Sequence, residues 1–399
     1  MTAALKRLLL MSMSSGIIFN YMGIFINLFI WEKGNQIFDV AWFNLIMFLA
    51  WGVAFMYGAN LLSKFTIGTV MRVAAIGAGI TFILLSWVHF EPKILYITMI
   101  AVPVGLTNGL YGAAQNMGIS LFGKGKEFTA FFSATNVIGQ LIAFINPLLF
   151  AVIIKWMGFT ASFFIMFIFI ALMIFTSYFV PPISLKEAKE PVFRKFGIRQ
   201  VFATPQLKWM IPSLIAGGFF IQFQGIFSLI FTFSVTQDKL SIAMLQIMYT
   251  SFTIACVFLY RRFSRTRPIG DNKWLTFGMI AAAVGFLLAL FPTPLILILS
   301  NILTTIGLFF FYTIWSSRQF IATYRLEPIH QTRVLVWREL ILVISRMFLL
   351  ALILGIHDFD GFVFKAVMIF SFSSALLIPY FSKKSDESAE EMVLQGVES

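Results

Sequence analysis

The chain has 399 residues, 59% of them hydrophobic and 12% charged, with 49 Phe and a mean hydropathy of +0.90. Soluble domains carry about 25% charged residues, so composition excludes a soluble fold and predicts an all-α, multi-pass membrane protein. The net charge of +12 is read as a loop signal, not as a nucleic-acid surface, and the single Cys256 excludes an intrachain disulfide.

The first apolar run follows Lys6 and Arg7 and continues to Trp31 without a clear cleavage site, so it reads as a span and not as a cleaved signal. Twelve apolar spans follow in order: 9–31, 40–61, 70–89, 94–121, 129–154, 160–181, 210–234, 242–260, 274–291, 294–316, 334–356 and 362–381. With the N-terminus in the cytoplasm, the 29 Lys and Arg fall almost entirely in cytoplasmic segments. Only Lys33, Lys93, Lys155, Lys239 and Lys365 lie outside, and Arg338 and Arg346 lie within a span. This alternation supports the span count and an orientation with both termini cytoplasmic.

The longest loop, 182–209, is basic and divides the chain into six spans and six. Its FGIRQVF stretch is expected either as a short interfacial helix or as plain solvated linker. The tail from 383 to 399 is acidic and polar and is expected to be disordered. The domains expected are therefore 1–181, a linker 182–209, 210–382 and the tail. Ser63-Lys64-Phe65-Thr66-Ile67-Gly68, then Arg72, is echoed after span eight by Ser264-Arg265-Thr266-Arg267-Pro268-Ile269-Gly270, then Lys273. Gln115 is echoed by Gln319. The echoes indicate a duplicated six-span unit with its axis along the membrane normal.

Span eleven, 334–356, carries Arg338, Glu339 and Arg346. A charge near the middle of a span costs roughly 2.5–3.5 kcal/mol on insertion scales, so such residues are functional candidates by default. Glu339 and Arg346 are seven residues apart and share a helical face, whereas Arg338 points about 100° away from Glu339. Arg338 and Glu339 could instead snorkel to headgroups, and the Arg-rich stretch 261–267 is read as pairing with anionic lipid.

The six-and-six organisation and the loop after span two resemble the major facilitator superfamily over about residues 5–382. The family's loop pattern, Gly-x-x-x-Asp-Arg-x-Gly, is met here by Gly58, Lys64 and Gly68, followed by Arg72; Ser63 replaces the acid that in the family helps hold the cytoplasmic gate. Span five, with Asn136, Gly139, Gln140, Asn146 and Pro147, looks like the Gly/Pro-bearing fifth helix of exporters in that family. The resemblance points to a transporter of a Gram-positive-like bacterium. It implies that spans 1, 4, 7 and 10, with 2, 5, 8 and 11, line a central cavity.

The intramembrane amides agree in part. Asn20 and Asn27 lie in span 1, Asn108, Gln115 and Asn116 in span 4, Asn136, Gln140 and Asn146 in span 5, Gln222 and Gln224 in span 7, Gln246 in span 8 and Asn301 in span 10. Amides in hydrocarbon need partners, supplied by water, substrate or a neighbouring helix. Tyr21, Tyr249, Tyr312 and Trp315 join them. Glu32 and Asp39 sit at the outer ends of spans 1 and 2, and Asp358 and Asp360 beyond span 11.

His89, His330 and His357 lie far apart at loop edges and suggest no metal cluster, and there is no Walker sequence. No enzyme chemistry and no cofactor are expected. The reading is a secondary transporter in a bacterial inner membrane, moving an anionic, zwitterionic or amphipathic small molecule, by proton-coupled export if Glu339 titrates as substrate competes for its arginines. Arg346, Asn20, Asn136, Gln140, Gln222 and Trp315 are the expected substrate contacts; Glu339 and Arg338 are the expected proton-coupling or gate residues. The partners expected are a small-molecule or lipid substrate and membrane lipids, with no nucleic acid, for a monomer. A lipid or glycolipid flippase, a multidrug efflux pump and a non-transport scaffold or receptor are the alternatives.

Overall fold

The computed structural model describes residues 1–34, 36–87, 92–182, 191–266, 270–324, 326–356 and 361–394, and they are helical almost throughout. In hydrocarbon every backbone N–H and C=O must be satisfied within the chain, and a helix does this locally. Helix α1 covers 3–34 and is interrupted by a π turn at Met22–Ile26. Then come α2 (Ile37–Leu61), α3 (Ile67–Trp87) and α4 (Lys93–Phe122). A long helix, Lys126–Ser177, breaks at Gly158 into α5 and α6, where φ is 81° and ψ 171°. Only glycine takes that backbone without strain. Helices α7 (Pro205–Val235), α8 (Lys239–Thr266) and α9 (Asp271–Leu288) follow. Helix α10 (Pro294–Thr323) carries a second π turn at Phe311–Trp315, and α11 (Pro328–Ile353) and α12 (Phe362–Leu394) complete the chain.

Nine helices among the described residues are long and apolar enough to cross a membrane. Helix α11 is interrupted by Arg333, Arg338, Glu339 and Arg346, and all four are buried. Helix starts are set by local chemistry. Thr204 caps α7, accepting from the Leu207 N–H at 3.4 Å, with Pro205 at the first helical position. Asp238 accepts from the Ser241 N–H and hydroxyl, both at 2.8 Å, at the start of α8, and these bonds, the backbone one foremost, hold its carboxyl below the ordinary range.

Helices before the linker pack chiefly on one another, as do those after it, with α2 against α11 and α5 against α8 joining the two sets. Close packing is made by small residues. A Cβ on Gly105 of α4 would lie 2.2 Å from the Met47 carbonyl oxygen, and one on Gly109 would lie 2.4 Å from that of Trp51.

Three expectations change. The tail does not become irregular at 383: α12 runs on to Leu394. The segment after 382 has partners, because Asp386 pairs with Arg318 at 2.9 Å and Ser385 donates to the Gln206 carbonyl at 2.9 Å. Residues 395–399 lie outside the described residues, as do Lys186, Lys189, Arg267, Arg325, His89, His357, Asp358 and Asp360. The FGIRQVF stretch does contain a short helix, and it is not a plain solvated linker. Ile198–Val201 is helical, and Val192, Val201 and Phe202 are buried. The linker docks on α11 through Arg333, which donates to the Val192 carbonyl at 2.9 Å, and Trp337, which donates to the Phe196 carbonyl at 2.7 Å and stacks on its ring. Finally, Arg338 and Glu339 do not snorkel: they are 8% and 4% exposed.

Candidate functional site: a polar central cavity beside a buried charge cluster

A cavity of about 490 Å³ lies among α1, α5, α7, α8 and α10. Its amide walls are Asn20, Asn136, Gln140, Gln224 and Gln246, with Ser228, Tyr249, Thr250, Thr253, Thr305 and Tyr312. Among the described residues no charged side chain lines it. Both π turns border it, through Gly23 and Ile24 on α1 and Tyr312 on α10; π turns are frequent at functional sites. Gln246, Tyr249, Thr250 and Thr253 follow the i, i+3, i+4, i+7 spacing that puts them on one face of α8. Their spacing carried a signal that a search for amides alone passes over. Ser228, Thr250, Thr253 and Thr305 were missed for a physical reason. A hydroxyl in a helix can bond the carbonyl four residues back, as Thr250 does to Gln246 and Thr253 to Tyr249, so it leaves little trace in composition.

The cavity lies between two groups of contacts that join the chain before the linker to the chain after it. At the end that holds the N-terminus, Ser120 donates to Gln331 at 2.6 Å, Phe128 meets Phe320 with ring centroids 5.9 Å apart, and Asn136 donates to Thr313 at 2.8 Å. At the opposite end Lys239 pairs with Glu32 at 3.4 Å and lies 4.9 Å from the Phe159 ring centroid, and Trp31 packs on Phe233.

Of the expected contacts, Asn20, Asn136 and Gln140 line the cavity. Gln222 is buried off its lining. Trp315 is turned toward α7, donating to the Ser213 hydroxyl at 2.8 Å and stacking on Phe311. Arg346 is also off the lining. It is 7% exposed and points at α2, 5.0 Å from the Phe48 ring and 5.6 Å from that of Trp51. Glu339 lies between the two arginines, 3.5 Å from Arg338 and 4.0 Å from Arg346. Arg338 Nε also donates to the side-chain amide oxygen of Gln319. The Arg346 Nε is buried with no hydrogen-bond partner among the described residues. The cluster thus holds two cations and one anion, and Tyr312 on the cavity wall lies within coulombic range of all three.

The loop residues Gly58, Lys64, Gly68 and Arg72 stay on the N-terminal side of the chain. A Cβ on Gly58 would touch Ala113, and one on Gly68 the Ser177 carbonyl. Lys64 is exposed, and Arg72 donates to Thr69 at 3.0 Å with its guanidinium 4.3 Å from the Tyr178 ring. Other sequence-noted amides serve helix contacts: Asn301 donates to the Ser228 carbonyl and the Tyr249 hydroxyl, Asn146 donates to the Ile17 carbonyl, and Asn27 accepts from Asn44 of α2.

No protein-family profile and no curated protein matches the chain. Solved structures do. A POT family transporter in complex with a thioalcohol-conjugated peptide superposes with a TM-score of 0.68 at 14% identity, covering 96% of each chain. A proton-dependent oligopeptide transporter gives 0.66 at 11% identity, covering 98% of this chain and all of its own. The nucleoside transporter NupG gives 0.63 at 10% identity, covering 96% of this chain and 99% of its own. Together with the apolar helices, these likenesses show a multi-pass membrane protein with the fold of the POT and NupG structures.

Proposed function

We propose that the protein is a secondary transporter that moves an anionic or zwitterionic small molecule across a bacterial inner membrane by alternating access. The carrying observation is the 490 Å³ amide-lined cavity held between two separate groups of contacts. Opening either group while the other holds would expose the cavity to one side at a time. In this reading residues 1–181 and 210–382 are two six-helix bundles related by a pseudo-two-fold axis. They make twelve crossings as a monomer, with the linker and both termini cytoplasmic. The bias of Lys and Arg toward that side supports the orientation.

The sign of the substrate follows from the cluster on α11. Two arginines against one glutamate leave one buried positive charge, which is expensive unless an anion balances it. Tyr312 stands on the cavity wall within range of that charge. Glu339, shared between the arginines, is the group whose protonation would be coupled to an arriving anion. Polar amides on the cavity wall supply orientation without demanding a second charge.

Thermal unfolding of the purified chain against organic anions, lipophilic cations and neutral sugars tests the reading. A ligand held only by the folded state at 100 times its dissociation constant adds about 2.7 kcal/mol of stability. An anion should raise the midpoint of wild type and not of Arg346→Ala. Cation shifts that persist in Arg346→Ala would refute the anionic reading and point to multidrug efflux.

A further inference from the structure

A second chamber of about 240 Å³ lies among α1, α4 and α5, lined in part by Ser12, Ser15, Gln115 and Thr135. It shares Asn20 with the main cavity. Helix α5 serves both, with Thr135 and Gly139 facing the second chamber and their neighbours Asn136 and Gln140 facing the first. Adjacent positions diverge by about 100° around a helix, so α5 forms the partition and Asn20 stands at the seam. Ser12 and Gly23, which line opposite ends of the pair, are eleven residues apart on α1, about 16 Å along its axis. Three polar atoms along this line have no hydrogen-bond partner among the described residues: Thr135 Oγ1, Asn20 Oδ1 and Gln246 Nε2.

Glycines keep both chambers open. A Cβ on Gly23 or Gly225, in the first, or on Gly139, in the second, would meet nothing within 4 Å. Gly105 and Gly109 are used differently, for tight helix contacts. At these three positions they leave space inside the bundle.

We propose that the two chambers form one bipartite site for an elongated, hydroxyl-bearing chain whose bulk is uncharged. The first argument is charge. Among the described residues neither chamber has a charged lining residue, so an ionic group away from the Tyr312 wall, the part of the lining near the α11 charges, would be desolvated with no counterion. The second is hydrogen bonding. Carboxamides and hydroxyls each offer donor and acceptor, matching a ligand group that does the same. The third is the aromatic walls, Phe19 and Tyr111 in the second chamber and Phe309 and Tyr312 in the first, which suit the apolar faces of sugar rings. The inference rests on the reading of the main cavity as a substrate site. It adds that substrate length is measured by the second chamber, with any single negative charge left for the Tyr312 side.

The test is the affinity of the full-length purified chain for gluconate, maltobionate and maltotrionate, which carry one carboxylate and a hydroxylated chain of increasing length, with neutral maltotriose alongside. Wild type should bind maltobionate about tenfold more tightly than gluconate, the gain expected of about two further hydrogen bonds. Gly139→Leu fills the second chamber and also favours the helix. It should leave gluconate unchanged and reduce the length gain to less than about twofold, while Gly225→Leu should weaken the whole series. Equal affinities along the series, an undiminished gain in Gly139→Leu, or no binding by any of the sugars would overturn the proposal. Maltotriose binding as well as maltotrionate, with the gain still lost in Gly139→Leu, would support the bipartite site and refute the anionic reading instead.

Discussion

Replacing Glu339 by Gln removes the carboxylate that separates Arg338 from Arg346 and leaves two guanidinium groups facing each other in a buried site. Removing one partner of a buried pair costs about 3–5 kcal/mol. Here the contacts are 3.5 and 4.0 Å, longer than the roughly 2.7–2.9 Å of strong charge-assisted bonds. Arg338 also keeps its bond to Gln319. The lower end of the range is therefore expected, about 3 kcal/mol. Arg346→Leu should behave differently. It removes the surplus positive charge and leaves Glu339 balanced by Arg338. Its losses are the contacts with Phe48 and Trp51, worth about 0.5–2 kcal/mol as cation–π interactions. Against them stands relief of a buried, unmatched charge, so the net change should lie within about 1 kcal/mol of wild type. Reversible unfolding of both variants in mixed micelles at neutral pH measures the difference. A Glu339→Gln protein as stable as wild type, or an Arg346→Leu protein less stable than Glu339→Gln, would refute the surplus-charge argument.

Gly105→Ala should destabilise the α2–α4 contact by about 1–3 kcal/mol, because its Cβ would fall 2.2 Å from a backbone oxygen; Gly225→Ala, which meets open space, should not, and equal unfolding midpoints for the two would contradict the packing. His330 has its pKa lowered from 6.5, first by burial and then by Arg333, partly opposed by Val201 and Glu327. The unfolded chain therefore takes up a proton at higher pH than the folded one, and stability falls as pH drops below about 6.5; His330→Gln should flatten that part of the midpoint-versus-pH curve, and an unchanged slope would argue against it. Glu32→Gln and Lys239→Met should each alter stability by no more than about 1 kcal/mol, since the pair is 33% and 28% exposed. Both should nevertheless raise the reactivity of a cysteine placed at Thr250 toward a membrane-impermeant thiol reagent, by loosening that end of the cavity; unaltered labelling would mean the pair does not hold it shut.

The helical nature of the chain, the positions of its helices and the unusual character of α11 were legible in the residues. Hydrophobic runs of membrane length and alternating loop charge are local properties that do not depend on how helices pack. The break between α5 and α6 was also readable, near Gly158. What each intramembrane polar residue does was decided only by tertiary structure. Asn20, Asn136 and Gln140 came together on one cavity because α1 and α5 bring them there, whereas Gln222 and Trp315, equally prominent in sequence, turned elsewhere. Arg346 was recognisable as a costly charge, but its placement over the rings of α2 depended on a helix some three hundred residues earlier in the chain. The acidic tail misled because composition describes what a segment does alone, and α12 extends it against Arg318 and Gln206. A sequence reports the solvent each segment prefers; which face meets a neighbour, a cavity or lipid is fixed by long-range packing, and that is where the chambers, their glycine floors and the charge cluster arise.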